Sequence, residues 1–220
     1  IQAIISTGKP MIASVFRVPP MSIGSLKENA SALLQCWYLG QETGYAVADI
    51  ILGEVNPSGK LTISIPRSTG HLPCYYNYKP SARRGYLFDS IQPLYPFGFG
   101  MSYTSFTYST PVLSKATMKK GERISISTTV TNTGKRAGDE IIQLYIRDKV
   151  SRFTRPVKEL KDFTRVSLQP GAAATITFTI SDRTLEDLND NFEPTVEPGE
   201  FELMIGPDRE RLQKVVLKVE

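Results

Sequence analysis

The sequence predicts an incomplete α/β sandwich over residues 1–70, an extended linker over 71–110 and an all-β sandwich over 111–220. Three observations carry this. Short apolar runs alternate with helical periodicities at the front of the chain. A Tyr-, Pro-, Gly- and Arg-rich stretch without long periodicity follows. From about residue 111, apolar and polar residues alternate in segments of strand length divided by turn residues.

Residues 1–7 read as the end of a helix that Gly8 closes. Pro10–Phe16 is an apolar run of the length of a buried parallel strand. Residues 25–30 suit a short helix, and Ala32–Trp37 is a second apolar run. Thr43 is placed to cap a helix through Ile51, in which Ala46, Val47, Ile50 and Ile51 recur at helical spacing before Gly53. Asn56-Pro57-Ser58-Gly59 is a turn, and Leu61–Ile65 alternates as a strand. Alternating elements of this kind make an α/β layer, but these are too few to complete a sheet. The opening Ile1-Gln2-Ala3-Ile4-Ile5 resembles the interior of a helix, so the chain is expected to be part of a longer protein, with any targeting segment upstream.

Further on, Ile124, Ile126, Thr128 and Val130 alternate with polar residues, and Ile142, Leu144 and Ile146 alternate with Gln143 and Tyr145. Thr175–Ile180 alternates strictly. Phe201, Leu203 and Ile205 repeat the pattern, as do Val215, Leu217 and Val219. Asn132-Thr133-Gly134, Gln169-Pro170-Gly171 and Glu197-Pro198-Gly199 supply turns. Short strands with one buried face and regular turns predict an immunoglobulin-like or fibronectin type III-like sandwich.

Composition narrows the function classes. The 220 residues are 40% hydrophobic and 22% charged, the balance of a globular protein. Lys and Arg number 26 against 22 Asp and Glu, interspersed, which describes a solvated surface with no basic stripe for nucleic acid. No apolar run approaches the ~18 residues of a membrane span. Neither nucleic acid nor membrane is expected as a partner. Cys36 and Cys74 form no disulfide framework and are either bridged or free. No Cys/His spacing suggests a metal, and the lone His71, after Gly70, is expected at the surface.

Three blocks carry a family resemblance. The first runs from Trp37-Tyr38-Leu39-Gly40-Gln41-Glu42-Thr43-Gly44 through Ala46–Gly53 to Asn56-Pro57-Ser58-Gly59-Lys60-Leu61. The second is Pro93-Leu94-Tyr95-Pro96-Phe97-Gly98-Phe99-Gly100-Met101-Ser102-Tyr103-Thr104-Ser105-Phe106. The third joins Arg155–Leu160 with Val196–Phe201. Together and in this order they resemble the C-terminal part of glycoside hydrolase family 3, including the fibronectin type III-like module of many members. One stretch departs: where many members read N-G-R-P, this chain reads Phe16-Arg17-Val18-Pro19-Pro20, and no binding role is carried onto it.

The resemblance implies a retaining enzyme that removes terminal β-linked glucose or xylose without a cofactor. Its Asp nucleophile would come from an N-terminal (β/α)₈ barrel. Its acid/base, a Glu in most members, would come from the α/β sandwich or an inserted loop. Both would lie before Ile1. The substrate would be an oligosaccharide or glycoside, and this chain alone would be inactive without the missing N-terminal portion. A periplasmic or secreted location agrees with the resemblance. The alternative is a stand-alone carbohydrate-binding or structural module.

Within the chain no residue is expected to be catalytic. Glu42, at the start of a helix, suits the positive end of the helix dipole better than catalysis. Asp49 lies mid-helix and suits a surface or interlayer hydrogen bond. The segment from Tyr75 to Phe88 is the more informative one, and Arg83, Arg84 and Tyr86 are its candidate substrate-binding residues. Aromatic faces stack on the C–H faces of sugars, and a guanidinium offers a rigid fork of donors to hydroxyls. The same residues also suit a linker whose aromatics pack on neighbouring elements and whose arginines pair with carboxylates. The Pro-Leu-Tyr-Pro-Phe-Gly-Phe-Gly block is expected to be structural, with Pro and Gly setting the turns and the aromatics filling an interface.

Overall fold

The short apolar runs at the front of the chain build short elements. The computed structural model describes residues 1–17, 23–80 and 90–220. It contains α1 (Gln2–Ile5), β1 (Ile12–Val15), α2 (Gly24–Asn29), β2 (Ala32–Gln35) and α3 (Thr43–Leu52). β1 and β2 pair in parallel, Ile12 with Ala32 through Val15 with Gln35. Gly53, at φ 81°, closes α3 in the left-handed region.

Two local expectations are corrected. Thr43 is the first residue of α3 and not its cap: its hydroxyl donates to the Gly40 carbonyl at 2.6 Å, and Glu42 holds the capping position without a side-chain capping bond. Leu61–Ile65 forms no continuous strand. Ile65 bridges Tyr95, and Leu61 exchanges backbone hydrogen bonds with Gly98 and Phe99. Pro66, Pro93 and Pro96 lack the N–H groups that a longer ladder would need.

None of the residues in α1, α2 or α3 is buried. Ile4, Tyr38, Tyr45, Leu52 and Val55 are exposed. Two parallel strands with uncovered helices leave apolar faces in water, whereas parallel sheets are ordinarily covered on both sides.

The back of the chain is a complete two-sheet sandwich. It contains β3 (Phe106–Tyr108), β4 (Val112–Leu113), β5 (Thr117–Met118), β6 (Ile124–Asn132), β7 (Gly138–Asp148), β8 (Glu159–Leu168) and β9 (Ala173–Ile180). Then come α4 (Asp182–Leu185), β10 (Asp187–Leu188), β11 (Pro194–Thr195), β12 (Gly199–Gly206) and β13 (Gln213–Val219). One sheet runs β5-β13-β12-β7-β8. In the other, β6 pairs with β9 and with both β3 and β4, all antiparallel. The core cluster lies entirely within the sandwich, from Met118 to Val219, and centres on Ile126, Ile142, Leu144, Ile180, Leu203 and Leu217.

Strand β6 alternates buried and half-buried residues along its whole length, as its sequence predicts. Strand β8 lacks that alternation in sequence because it is an edge, where Lys161, Asp162 and Arg165 keep the strand charged. β7 departs most: Ile142, Gln143, Leu144, Tyr145 and Ile146 are all buried, so both of its faces are covered.

Asn132 closes one end of the sandwich. Its amide donates to the carbonyls of Arg136 (2.8 Å) and Leu168 (2.9 Å), and its Oδ1 accepts from the Thr104 hydroxyl (2.6 Å) and the Gly134 N–H (3.1 Å). Every donor and acceptor of this buried amide is satisfied.

Two outcomes are expected. Leu203→Ala should lower unfolding free energy by about 2–5 kcal/mol, the range for truncating a fully buried leucine, read from chemical denaturation. A fragment of residues 104–220 should give a cooperative thermal transition, and residues 1–103 alone should not. A broad, non-cooperative melt of the 104–220 fragment would contradict an independent sandwich.

Candidate functional site

The second face of β7 is covered by the segment Leu94–Gly100. Gly98, at φ 78°, passes so close to β7 that any Cβ there would overlap the Gln143 carboxamide. A Cβ on Gly100 would likewise overlap the Gly59 carbonyl oxygen. Glycine at both places lets the segment lie against the sandwich on one side and residues 59–65 on the other.

Gln143 joins three pieces of chain there. Its Nε2 donates to the Gly98 carbonyl (3.1 Å) and the Pro207 carbonyl (2.6 Å), and its Oε1 accepts from the Tyr145 hydroxyl (2.6 Å). Burial raises the Tyr145 phenol's pKa. The Tyr145 ring meets Phe97 edge-on at 6.5 Å, and Phe97 stacks on Tyr76 at 4.1 Å. The aromatics of the Pro- and Gly-rich block do fill an interface.

Beside this stack lies Arg209, 4% exposed. Its Nε donates to the Tyr76 carbonyl (2.5 Å), its guanidinium lies 5.3 Å from the Tyr78 ring centre and pairs with Glu210, and its own N–H donates to the Phe97 carbonyl (3.2 Å). The Arg209 carbonyl accepts from Lys158 Nζ at 2.8 Å. Burial first, and then the Arg209 charge, lower the Lys158 pKa.

A second buried charge cluster lines a cleft of about 700 Å³ between Gly100–Phe106 and Ile205–Gln213. Lys60 Nζ lies 3.0 Å from Glu140 Oε1, which also accepts from the Tyr108 hydroxyl (3.1 Å). Burial, and then the neighbouring carboxylate, raise the Tyr108 pKa. Around it, Asn56 donates to the Ala137 carbonyl (2.8 Å), Ser102 donates to Asn56 Oδ1 (2.8 Å) and Arg136 donates to the Gly53 carbonyl (2.6 Å). These bonds bind the Asn-Pro-Ser-Gly turn and the end of α3 to the sandwich.

The sequence-predicted residues are placed as follows. Arg83, Arg84 and Tyr86 lie outside the described residues, as do Val18, Pro19 and Pro20 of the departing stretch. Glu42, at the capping position before α3, and Asp49, on α3, are both exposed. Neither Cys36 nor Cys74 is in a disulfide, and burial raises the Cys36 pKa. His71 corrects the expectation of a surface position: it is 2% exposed, its Nδ1 accepting from the Arg67 N–H (3.3 Å) and its Nε2 lying 3.2 Å from the Ile91 carbonyl. These contacts assign the proton to Nε2. Flanking Gly and Pro residues suggested exposure, but the chain on both sides folds over the ring.

Sequence reasoning missed Arg209, Lys158 and the Lys60–Glu140 pair: Tyr76 lies 133 residues from Arg209, Glu140 lies 80 from Lys60, and Arg209 lies 51 from Lys158. The near-continuous run Ile141–Ile146 was the available sign that β7 is covered twice. Asp148 and Asp187 converge on Arg155 Nε, at 3.5 and 2.9 Å. Burial raises the Asp148 pKa against the pull of Arg155. With a guanidinium between them, these carboxylates form a charge clamp on the 149–158 loop, not an acid/base pair. Among the described residues no group of three or more His, Cys, Asp or Glu is arranged to hold a metal, and no helix is long and apolar enough to cross a membrane.

Comparison with known proteins covers both units. Residues 1–103 match the glycosyl hydrolase family 3 C-terminal domain, and residues 140–209 match the fibronectin type III-like domain. The chain is 40% identical to a periplasmic β-glucosidase of Salmonella typhimurium over 97% of its own length and 29% of that protein. It is 42% identical to a β-xylosidase of Formosa agariphila over 94% of itself and 29% of that protein. Among solved structures, a β-glucosidase from Erythrobacter marinus superposes with a TM-score of 0.96 at 40% identity, covering 100% of this chain and 29% of that one. A β-glucosidase from Listeria innocua in complex with glucose superposes with a TM-score of 0.93 at 34% identity, covering 99% of this chain and 32% of that one. The chain therefore spans under a third of the length of these proteins.

The buried pair yields a test of the seam. Lys60→Met leaves Glu140 buried without its cation and should cost about 3–5 kcal/mol. Lys60→Met with Glu140→Leu should recover much of that loss in a double-mutant cycle. Equal destabilisation by the single and double variants would show that the pairing is not what matters.

Proposed function

Because this chain belongs to glycoside hydrolase family 3, as its C-terminal domain followed by a fibronectin type III-like domain, we propose that it is the C-terminal portion of a retaining β-glycosidase. The enzyme removes terminal, non-reducing β-D-glucosyl or β-D-xylosyl residues. The supporting observation is the joint likeness, along almost the whole chain, to proteins named β-glucosidase and β-xylosidase. A retaining mechanism uses two carboxyl groups ~5–5.5 Å apart, one as nucleophile and one as proton donor and then base. In this reading both are supplied by the part of the enzyme preceding this chain, so residues 1–220 have no turnover of their own.

The segment 75–89 is assigned to the leaving-group side of the active site, with Arg83, Arg84 and Tyr86 contacting substrate. The support is chemical: two adjacent guanidiniums and a tyrosine in a polar segment of irregular sequence, of the kind that walls a sugar subsite.

Two assays follow. Residues 1–220 should hydrolyse aryl β-glucosides and β-xylosides no faster than buffer, while the full-length protein turns them over with retained anomeric configuration by NMR. Turnover by the 220-residue chain that a carboxylate substitution abolishes would overturn the reading. In the full-length protein, Arg83→Ala or Arg84→Ala should lower kcat and kcat/KM together by roughly ten- to a hundred-fold, the size of one charge-assisted hydrogen bond made in the transition state. Unchanged kinetics for both variants, with a lower melting temperature, would assign the arginines to packing.

A further inference from the structure

The start of the tyrosine-rich segment is held by the sandwich domain, across more than 100 residues of sequence. Tyr76 is bound at its carbonyl by the Arg209 side chain and at its ring by Phe97. The Tyr78 carbonyl accepts from the Val157 N–H at 3.0 Å, and its ring lies under the Arg209 guanidinium. Arg209 is the common member. Its backbone is fixed at both polar groups, by the Phe97 carbonyl and by Lys158 Nζ.

Burying a guanidinium against a backbone carbonyl costs desolvation, which Glu210 and the Tyr78 ring offset only in part. A neutral apolar contact would join two domains at less cost. What the guanidinium adds is direction: its rigid planar fork admits one placement of the Tyr76 carbonyl.

We infer that Arg209 is a positioning residue, through which the fibronectin type III-like domain sets the place of Tyr75–Tyr78 and hence of the leaving-group side of the active site. The inference rests on the hydrolase reading above. A substrate whose leaving group is itself a sugar depends on that side of the site. An aryl glycoside with a small, activated leaving group depends on it far less. Loss of Arg209 therefore changes the preference between the two, which an overall loss of folded protein does not.

The test uses the full-length protein with Arg209→Ala and the milder Arg209→Lys, which retains charge and loses the fork. Hydrogen exchange should accelerate roughly ten- to a hundred-fold at residues 75–80 and at the Val157 amide in Arg209→Ala. The ratio of kcat/KM for a β-linked disaccharide to that for a nitrophenyl β-glycoside should fall about tenfold, with Arg209→Lys between wild type and Ala. Unchanged exchange in both variants would overturn the hold of Arg209 on the segment. Faster exchange with an unchanged ratio would leave Arg209 a structural tie and overturn its positioning role. Absence of turnover of either substrate by the unaltered full-length protein would overturn the hydrolase reading, while exchange would still decide whether Arg209 holds the segment.

Discussion

The arrangement depends on one buried side chain, the carboxamide of Gln143. A primary amide taken out of water must find partners for its donors and acceptor, and here they come from Gly98, Pro207 and Tyr145. Gly98 belongs to the segment leaving the α/β unit, Pro207 to the loop after β12, and Tyr145 to β7 itself. Satisfying one amide thus brings three distant stretches to one point. The requirement is directional, which apolar burial is not. It fixes how the block from Leu94 to Gly100 lies on the sandwich, and with it the placement of Phe97, Arg209 and the tyrosines they touch.

The two units stand in different energetic positions. The sandwich closes its own core and satisfies Asn132 from within its reach. The α/β unit buries no residue of its three helices and leaves Tyr45, Leu52 and Val55 in water. What order it has beyond β1 and β2 is drawn from the seam: Asn56, Gly53 and Lys60 are each bonded to the sandwich domain or to the segment leading into it. A partial sheet that depends on its neighbour suits a chain spanning under a third of its relatives, whose remaining length has room to cover the exposed faces.

In the proposed enzyme the chemical groups come from elsewhere, and this chain contributes placement. In that reading a change at Lys60, Glu140 or Gly98 acts on the seam's stability, while a change at Arg209 acts on direction. Kinetic ratios between substrates separate the two kinds of effect, because loss of folded protein scales all substrates alike.

Much of this was legible in sequence because it depends on local pattern. Period-two alternation gave β6, β9, β12 and β13, and Gly53 and Asn56–Gly59 marked the end of α3 and the turn after it, since side-chain direction and φ preference are properties of the residues themselves. The aromatic and glycine block was recognisable as an interface for the same reason. The tertiary structure alone decided what covers the second face of β7, why Leu61–Ile65 bridges instead of forming a ladder, that His71 is buried, and that Arg209 reaches Tyr76. Each of these is a pairing between groups far apart in the chain. Hydrogen bonds and ion pairs depend on distance and angle in space, and no periodicity along the chain encodes which distant carbonyl a buried arginine or glutamine will find.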